Sequence, residues 1–365
     1  MRTNDLVKST PLLFAAAFAA AVAPPIESLA QERTMQTTTQ AASLPVEGRL
    51  ASFSGATAWL NSQPLTPEAL RGKVVLVDFW TYTCINWQRT QPYVRSWAQR
   101  YKDQGLVVIG VHTPEFPFEK NLDNIRPALA MFRVEYPVAV DSDSAVWDAF
   151  RNQYWPAVYV ADANGNIRFH QFGEGEYERT EAVIRQLLRE AGYPGTSNDG
   201  IAPDARGSEV AADWDDLKSS ENYLGRNRTE GFSSPGGALV GKIRSYAVPR
   251  LLTLNHWALD GDWTVNPGAA ALDKGSGRIV YRFHARDLHL VMGPASRGAS
   301  VRFRVRLDGQ PPGNAHGTDV DEQGNGAVTE QRLYQLIRQP KPVKDRLFEI
   351  EFLDPGVEAY VFTFG

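Results

Sequence analysis

One residue of this chain carries a soft nucleophile. Cys84 is the single cysteine among 365 residues, set in the stretch WTYTCINWQRT at 80–90. Three positions later, where a second thiol would complete a redox pair, stands Trp87. A cysteine without an internal partner is free, reactive or joined to another molecule. Three chemistries remain open to it. It can attack a disulfide and leave a mixed disulfide for an outside thiol to resolve. It can reduce a peroxide through a sulfenic acid. It can also be inert, packed as a small apolar side chain.

The surroundings of Cys84 favour reactivity. The run KVVLVDFW (73–80) is β-branched and apolar, as a strand buried on both faces must be. The helical spacing of QPYVRSWAQRYKDQG (91–105) places Tyr93, Val94, Trp97 and Tyr101 on one side, with Gly105 as the stop. Cys84 thus lies between a strand and a helix N-terminus, where positive potential is expected to lower a thiol pKa. Asp78 interrupts the buried strand with a carboxylate, costly unless it has a partner or a task. Pro156, after Trp155, opens another strand and suits a cis bond at a site edge. The candidate catalytic residues are therefore Cys84 and Asp78. Trp80, Thr83, Trp87, Trp155 and Pro156 are candidate walls of a substrate groove, with Trp80 and Trp155 equally readable as core.

Further along, LVVIGVH (106–112) reads as a second buried strand and YPVAVD (136–141) as a third, each followed by a helical stretch. The segment 157–175 reads as a hairpin turning at Asn164-Gly165, and ERTEAVIRQLLREAG (178–192) as an amphipathic closing helix. This alternation gives an α/β unit over 47–193. Residues 194–245 are rich in Gly, Ser, Asp and Pro and read as a linker, with ENYLG and Trp214 expected to dock on a neighbour. From 246 to 365 strands follow one another. VRFRVRLDG (301–309) and FEIEF (348–352) alternate apolar with charged residues, so that paired they would oppose a row of arginines to a row of glutamates. A β-sandwich is the expected architecture.

The composition is 43% hydrophobic and 22% charged, with a net charge of −4. Without a basic excess there is no electrostatic footprint for nucleic acid. The first 30 residues read as an export signal, with Arg2 and Lys8 before a short apolar run and a small-residue cleavage site ending at Ala30. Residues 31–46 read as a disordered lead-in. After cleavage no segment is apolar enough to span a membrane, and the expected location is the bacterial periplasm or the medium.

The segment VVLVDFWTYTCINW resembles the active-site stretch of thioredoxins, and WPA at 155–157 resembles their cis-proline loop. The inserted HTPEFPFEK resembles the redoxin or TlpA-like subgroup. Together with RNQYWPA, HQFGEGEYE and the ending FEIEFLDPGVEAYVFTFG, it makes residues 45–365 resemble the soluble C-terminal part of DipZ-type cytochrome c biogenesis proteins. The resemblance implies a thioredoxin fold followed by a jelly-roll-like, carbohydrate-binding-like β domain. The lone thiol leads us to expect protein disulfide or peroxide substrates and an external thiol reductant, with no cofactor. Family members carry Cys-Ile-Asn-Cys, where this chain has Cys84-Ile85-Asn86-Trp87. An internal release step is thereby closed, and Asp78 loses its family role beside the second cysteine. Thr81 matches half of the peroxiredoxin motif, but Val77 replaces its proline. Asn86, Gln88 and Arg89 are available to polarise a peroxide.

The alternative function is a redox-silent scaffold whose β domain binds a glycan or a protein, with Trp257 and Trp263 as stacking candidates or, equally, as core. The six histidines lack metal spacing. DVDEQGNGAVTE (319–330) partly matches a calcium loop, but a glycine-rich loop between strands accounts for it better.

Overall fold

The computed structural model describes residues 43–193, 200 and 202–365; the export signal and nearly all of the lead-in expected at 31–46 lie outside them. The first sheet is built from β1 (Gly48–Arg49), β2 (Ala58–Leu60), β3 (Val74–Trp80), β4 (Leu106–His112), β5 (Val138–Val140), β6 (Ala157–Ala161) and β7 (Asn166–Phe172). Its order is β1-β7-β6-β3-β4-β5-β2. β3 runs parallel to β4 and antiparallel to β6. The strand β3 is buried at every residue, as its unbroken apolar run requires. Val75, Val77 and Phe79 enter one core and Leu76 and Trp80 the other. Four helices cover the sheet: α1 (Ile85–Tyr101), α2 (Leu122–Met131), α3 (Ala145–Phe150) and α4 (Tyr177–Glu190). α1 begins six residues before the expected 91. Pro92 suits the first turn of a helix, yet it sits inside this one, because Ile85, Trp87, Gln88 and Arg89 are buried and fix an earlier turn.

The strands of the second half pair antiparallel with one another. β8 (Asn222–Tyr223), β9 (Arg244–Tyr246), β10 (Trp257–Val265), β11 (Ala270–Leu272), β12 (Gly277–Phe283), β13 (Asp287–Pro294), β14 (Val301–Leu307), β15 (Asn325–Val328), β16 (Arg332–Arg338), β17 (Arg346–Phe352) and β18 (Val357–Phe364) form one eleven-stranded sheet. The sheet curls on itself at β10, which pairs with β12 through residues 257–260 and with β9 and β11 through 261–265. Gly261 marks the change of partner with φ +97°, a conformation that disfavours any side chain. Both halves line a single apolar core. The expected rows are present: Arg304 opposes Glu351 and Arg306 opposes Glu349 across β14 and β17.

Residues 202–245 do more than connect. Asn222, Tyr223 and Leu224 are buried, with β8 pairing to β18, and Glu209 forms a buried ion pair with Arg95 of α1 at 2.8 Å. Trp214, expected to dock, is instead 59% exposed. The two halves meet through an apolar seam in which Phe116 and Phe118 pack on Tyr360, with Tyr223 alongside. Arg89 of α1 also donates to the Phe364 carbonyl at 2.8 Å, tying the helix to the chain's last strand.

Candidate functional site

Cys84 is the N-cap of α1, in extended conformation at φ −71° and ψ 114°. It is half-buried, and its Sγ lies 3.8 Å from the carbonyl oxygen of Trp155. The Trp155–Pro156 bond is cis, as the sequence led one to expect, and the Trp155 indole donates to the Thr113 carbonyl at 3.1 Å. Strand, helix head and proline loop thus bring Cys84 and Trp155 together.

The expected low thiol pKa is overturned. Burial pushes the Cys84 thiol well above its usual range, and the Glu221 and Glu115 carboxylates push the same way. Hydrogen bonds from the backbone N–H groups of Trp87 and Asn86 pull it down, without compensating. The helix terminus acts in the foreseen sense, but losing water outweighs it.

Three expected groove residues do not line a groove. Trp80, Thr83 and Trp87 are at most 2% exposed. Trp80 and Trp87 stack on each other with ring centroids 4.2 Å apart, and Phe132 meets Trp87 edge-on. Apolar burial of two indoles is worth more than exposing them on a rim. The Thr83 hydroxyl donates to Glu119 at 2.6 Å, while Glu119 accepts the backbone N–H groups of Glu115 and Phe116. Thr83 therefore anchors the inserted loop. Pro156 is buried as well, which leaves Trp155 as the half-exposed neighbour of the sulfur.

Asp78 is fully buried, and the Trp87 indole donates to its Oδ2 at 3.0 Å. Its other oxygen has no partner among the described residues. Burial raises its pKa to about 7, with the indole hydrogen bond opposing. The tryptophan at the resolving position has thus taken the carboxylate as its own partner. His112, buried against Trp80 and Tyr82, is held neutral, its pKa lowered to about 3 by burial.

Two of the three residues read as peroxide-polarising have partners of their own. Arg89 pairs with Glu174 at 3.2 Å and bonds Phe364, while Gln88 donates to the Tyr82 carbonyl. A group that sequence reading missed lies beside the thiol. The Tyr223 hydroxyl donates to Glu115 at 2.5 Å and lies 3.1 Å from a Glu221 oxygen, and Arg228 reaches Glu115 at 2.6 Å. Burial and the Glu115 charge raise the Glu221 pKa to about 6. The two ends of this group lie over a hundred positions apart, so no local pattern announces it.

In the β domain, Trp257 and Trp263 are fully buried and unavailable for stacking on a sugar. Asp319 of the calcium-like loop accepts from Arg332 and from the Gln335 backbone, and Asp321 from Asn325. Among the described residues no cluster of ligating side chains suits a metal.

A helix-capping thiol facing a cis-proline loop, on a mixed sheet with parallel central strands, defines a thioredoxin-fold protein. The AhpC/TSA family matches residues 49–170, and the thioredoxin-like C-terminal domain matches 219–365. The chain is 32% identical over 141 residues to the thiol-disulfide oxidoreductase YkuV of Bacillus subtilis, covering 39% of this chain and 95% of that protein. It is 38% identical over 337 residues to Protein DipZ of Mycobacterium tuberculosis, covering 89% of this chain but 44% of DipZ. Among solved structures, a thioredoxin-like protein in its oxidised form is 32% identical and covers 40% of this chain and 99% of its own, with a TM-score of 0.37. The chain belongs to the thioredoxin-like family, with a thiol-disulfide oxidoreductase type of fold. It spans less than half the length of its DipZ relatives.

Proposed function

We propose that this protein is an exported monothiol oxidoreductase that exchanges Cys84 with disulfides of other proteins. The observation that carries this reading is the direction of Trp87. Its ring is locked into the core on Trp80 and Asp78, and the sulfur stays half-buried beside the Trp155 carbonyl. The Cys84 thiolate attacks one sulfur of a substrate disulfide, forming a mixed disulfide and expelling the other sulfur as thiolate. The sequence offers no second cysteine. An external thiolate must then attack the substrate sulfur of the adduct, making a new disulfide and returning Cys84. The export-type beginning of the sequence supports a periplasmic site, where such disulfides persist.

Because burial and two carboxylates keep the thiol protonated, exchange is slow at neutral pH and accelerates with pH. Alkylation of Cys84 in the folded protein is expected to quicken about tenfold per pH unit from 6 to 8. Mixed-disulfide adducts from periplasmic extract should form with the intact chain and vanish in Cys84→Ser. A sulfur that resists labelling until the protein is denatured refutes the proposal.

The same raised thiol favours a second reading, a redox-silent binding module. Partner or glycan binding retained in Cys84→Ser, with no adducts from the intact protein, would establish it.

A further inference from the structure

The β domain carries an apolar turn that its own fold leaves uncovered. The chain passes beside β10 at Phe232, next to Trp257, and again at Val240, next to Val265. It turns at Gly241, whose N–H donates to the Val265 carbonyl at 3.0 Å, and returns as β9. The loop is braced from within. The Arg244 guanidinium donates to the Pro235, Gly236 and Gly237 carbonyls at 3.1 Å, and the Tyr246 hydroxyl accepts the Leu239 N–H at 2.9 Å. On this braced loop Leu239, Val240 and Ile243 are 42%, 44% and 57% exposed. Three aliphatic side chains are thus held outward within five positions, and such a cluster marks an interaction surface.

The charges around the turn select the partner. No Asp or Glu occurs from Gly231 to Leu259, a stretch that carries Lys242, Arg244 and Arg250 in a chain of net charge −4. Arg226 joins them, its backbone N–H bonded at 2.9 Å to the carbonyl of Asn266, the residue after Val265. Among the described residues no carboxylate lies within ion-pair reach of Lys242 or Arg226. Of the acids facing the turn, Asp262, opposite Ser245, is held by Lys274 at 3.3 Å. Asp273, bonded to Thr264 at 2.8 Å, is outnumbered by Arg226, Lys242 and Arg244. The turn is therefore cationic as well as apolar. Three aliphatic side chains fall short of the roughly 800 Å² per partner that a stable protein interface buries. They suit a lipid interface, where aliphatic groups enter the acyl boundary while lysine and arginine meet anionic headgroups.

We propose that the turn at 239–243 docks this protein on a membrane surface bearing anionic lipid. Leu239, Val240 and Ile243 enter the headgroup–acyl boundary, and Lys242 and Arg226 face the lipid phosphates. Docking is independent of the exchange proposed for Cys84.

The test places an environment-sensitive nitrobenzoxadiazole dye on the full chain carrying Cys84→Ser and Ile243→Cys. A matched protein carries the dye through Asp143→Cys, an exposed position of the thioredoxin half. Both are titrated with phosphatidylcholine vesicles with and without phosphatidylglycerol. The dye at 243 should brighten and shift to the blue, saturably, on the anionic vesicles, and the dye at 143 should not. Because the readout is local, membrane binding by any other part of the chain does not imitate it. Lys242→Gln should raise the half-saturating lipid concentration about fivefold, the effect of one interfacial cation. Added salt should raise it further, and Leu239→Ser should weaken the response. An equal response on pure phosphatidylcholine, an equal response at 143, no response at millimolar lipid, or indifference to Lys242→Gln overturns the proposal. A shift that appears on concentrating the protein without lipid assigns the turn to a second copy of the chain, and overturns it too.

Discussion

Asp78 should make the thioredoxin module lose stability as pH rises, and Asp78→Asn should abolish that loss. The carboxyl is fully buried, with the Trp87 indole as its hydrogen-bond donor. Burial raises its pKa from an ordinary 3.8 to about 7. An acid whose folded pKa is raised binds its proton more tightly when folded. Below pH 4 both states are protonated and nothing is lost. Between 4 and 7 the unfolded chain ionises while the folded one does not, so stability falls, and above 7 the loss is complete. At roughly 1.4 kcal/mol per pH unit, the full penalty is about 4 kcal/mol. The amide introduced by Asp78→Asn keeps an oxygen for the Trp87 indole and cannot ionise. Both the amide and the protonated acid carry a donor that finds no acceptor there, so the two proteins should be nearly level at pH 4. Urea unfolding from pH 4 to 8.5, followed by fluorescence of the Trp80–Trp87 stack, should show the variant gaining to about 4 kcal/mol over the parent. Parallel stability curves, or a difference that shrinks with pH, would refute the assignment of the proton to Asp78.

Other consequences follow from the same geometry. Glu221→Gln removes one of the two charges that oppose Cys84 ionisation, so alkylation at pH 7.5 should run a few-fold faster, roughly the effect of half a pH unit; an unchanged rate would show that the carboxylate does not act on the sulfur. Trp87→Cys restores the dithiol spacing but empties the stack on Trp80 and deprives Asp78 of its donor. It should cost about 3–5 kcal/mol in denaturant unfolding while conferring dithiol reduction of a disulfide substrate. Arg95→Met leaves Glu209 buried without its 2.8 Å partner, and calorimetry should register a loss of about 3 kcal/mol, because Arg133 reaches that carboxylate only at 3.6 Å and from an exposed position.

Much of the architecture is legible in the chain itself. The all-buried β3, the alternating β14 and the turn at Asn164-Gly165 each follow from a local period or a turn residue, and such signals survive any tertiary setting. The cis Trp155–Pro156 loop and the helix-capping place of Cys84 were visible for the same reason. Less legible was the head of α1. Its first turn is fixed by the burial of Ile85 and Trp87 and not by capping residues, so the apolar spacing that began at 91 missed it.

The sequence by itself determined the fold class, the lone sulfur and the absence of a resolving thiol, because composition and short-range spacing carry that information. Only the tertiary structure decided how the sulfur behaves. Whether a helix terminus or desolvation prevails depends on which atoms close around the thiol, and those come from distant segments: Glu115 on the insertion and Glu221 beside β8. The same holds for Trp87, whose spacing alone leaves the ring free to face either water or core. It turned inward because Trp80 and Asp78 together offer an indole both a stacking surface and an acceptor.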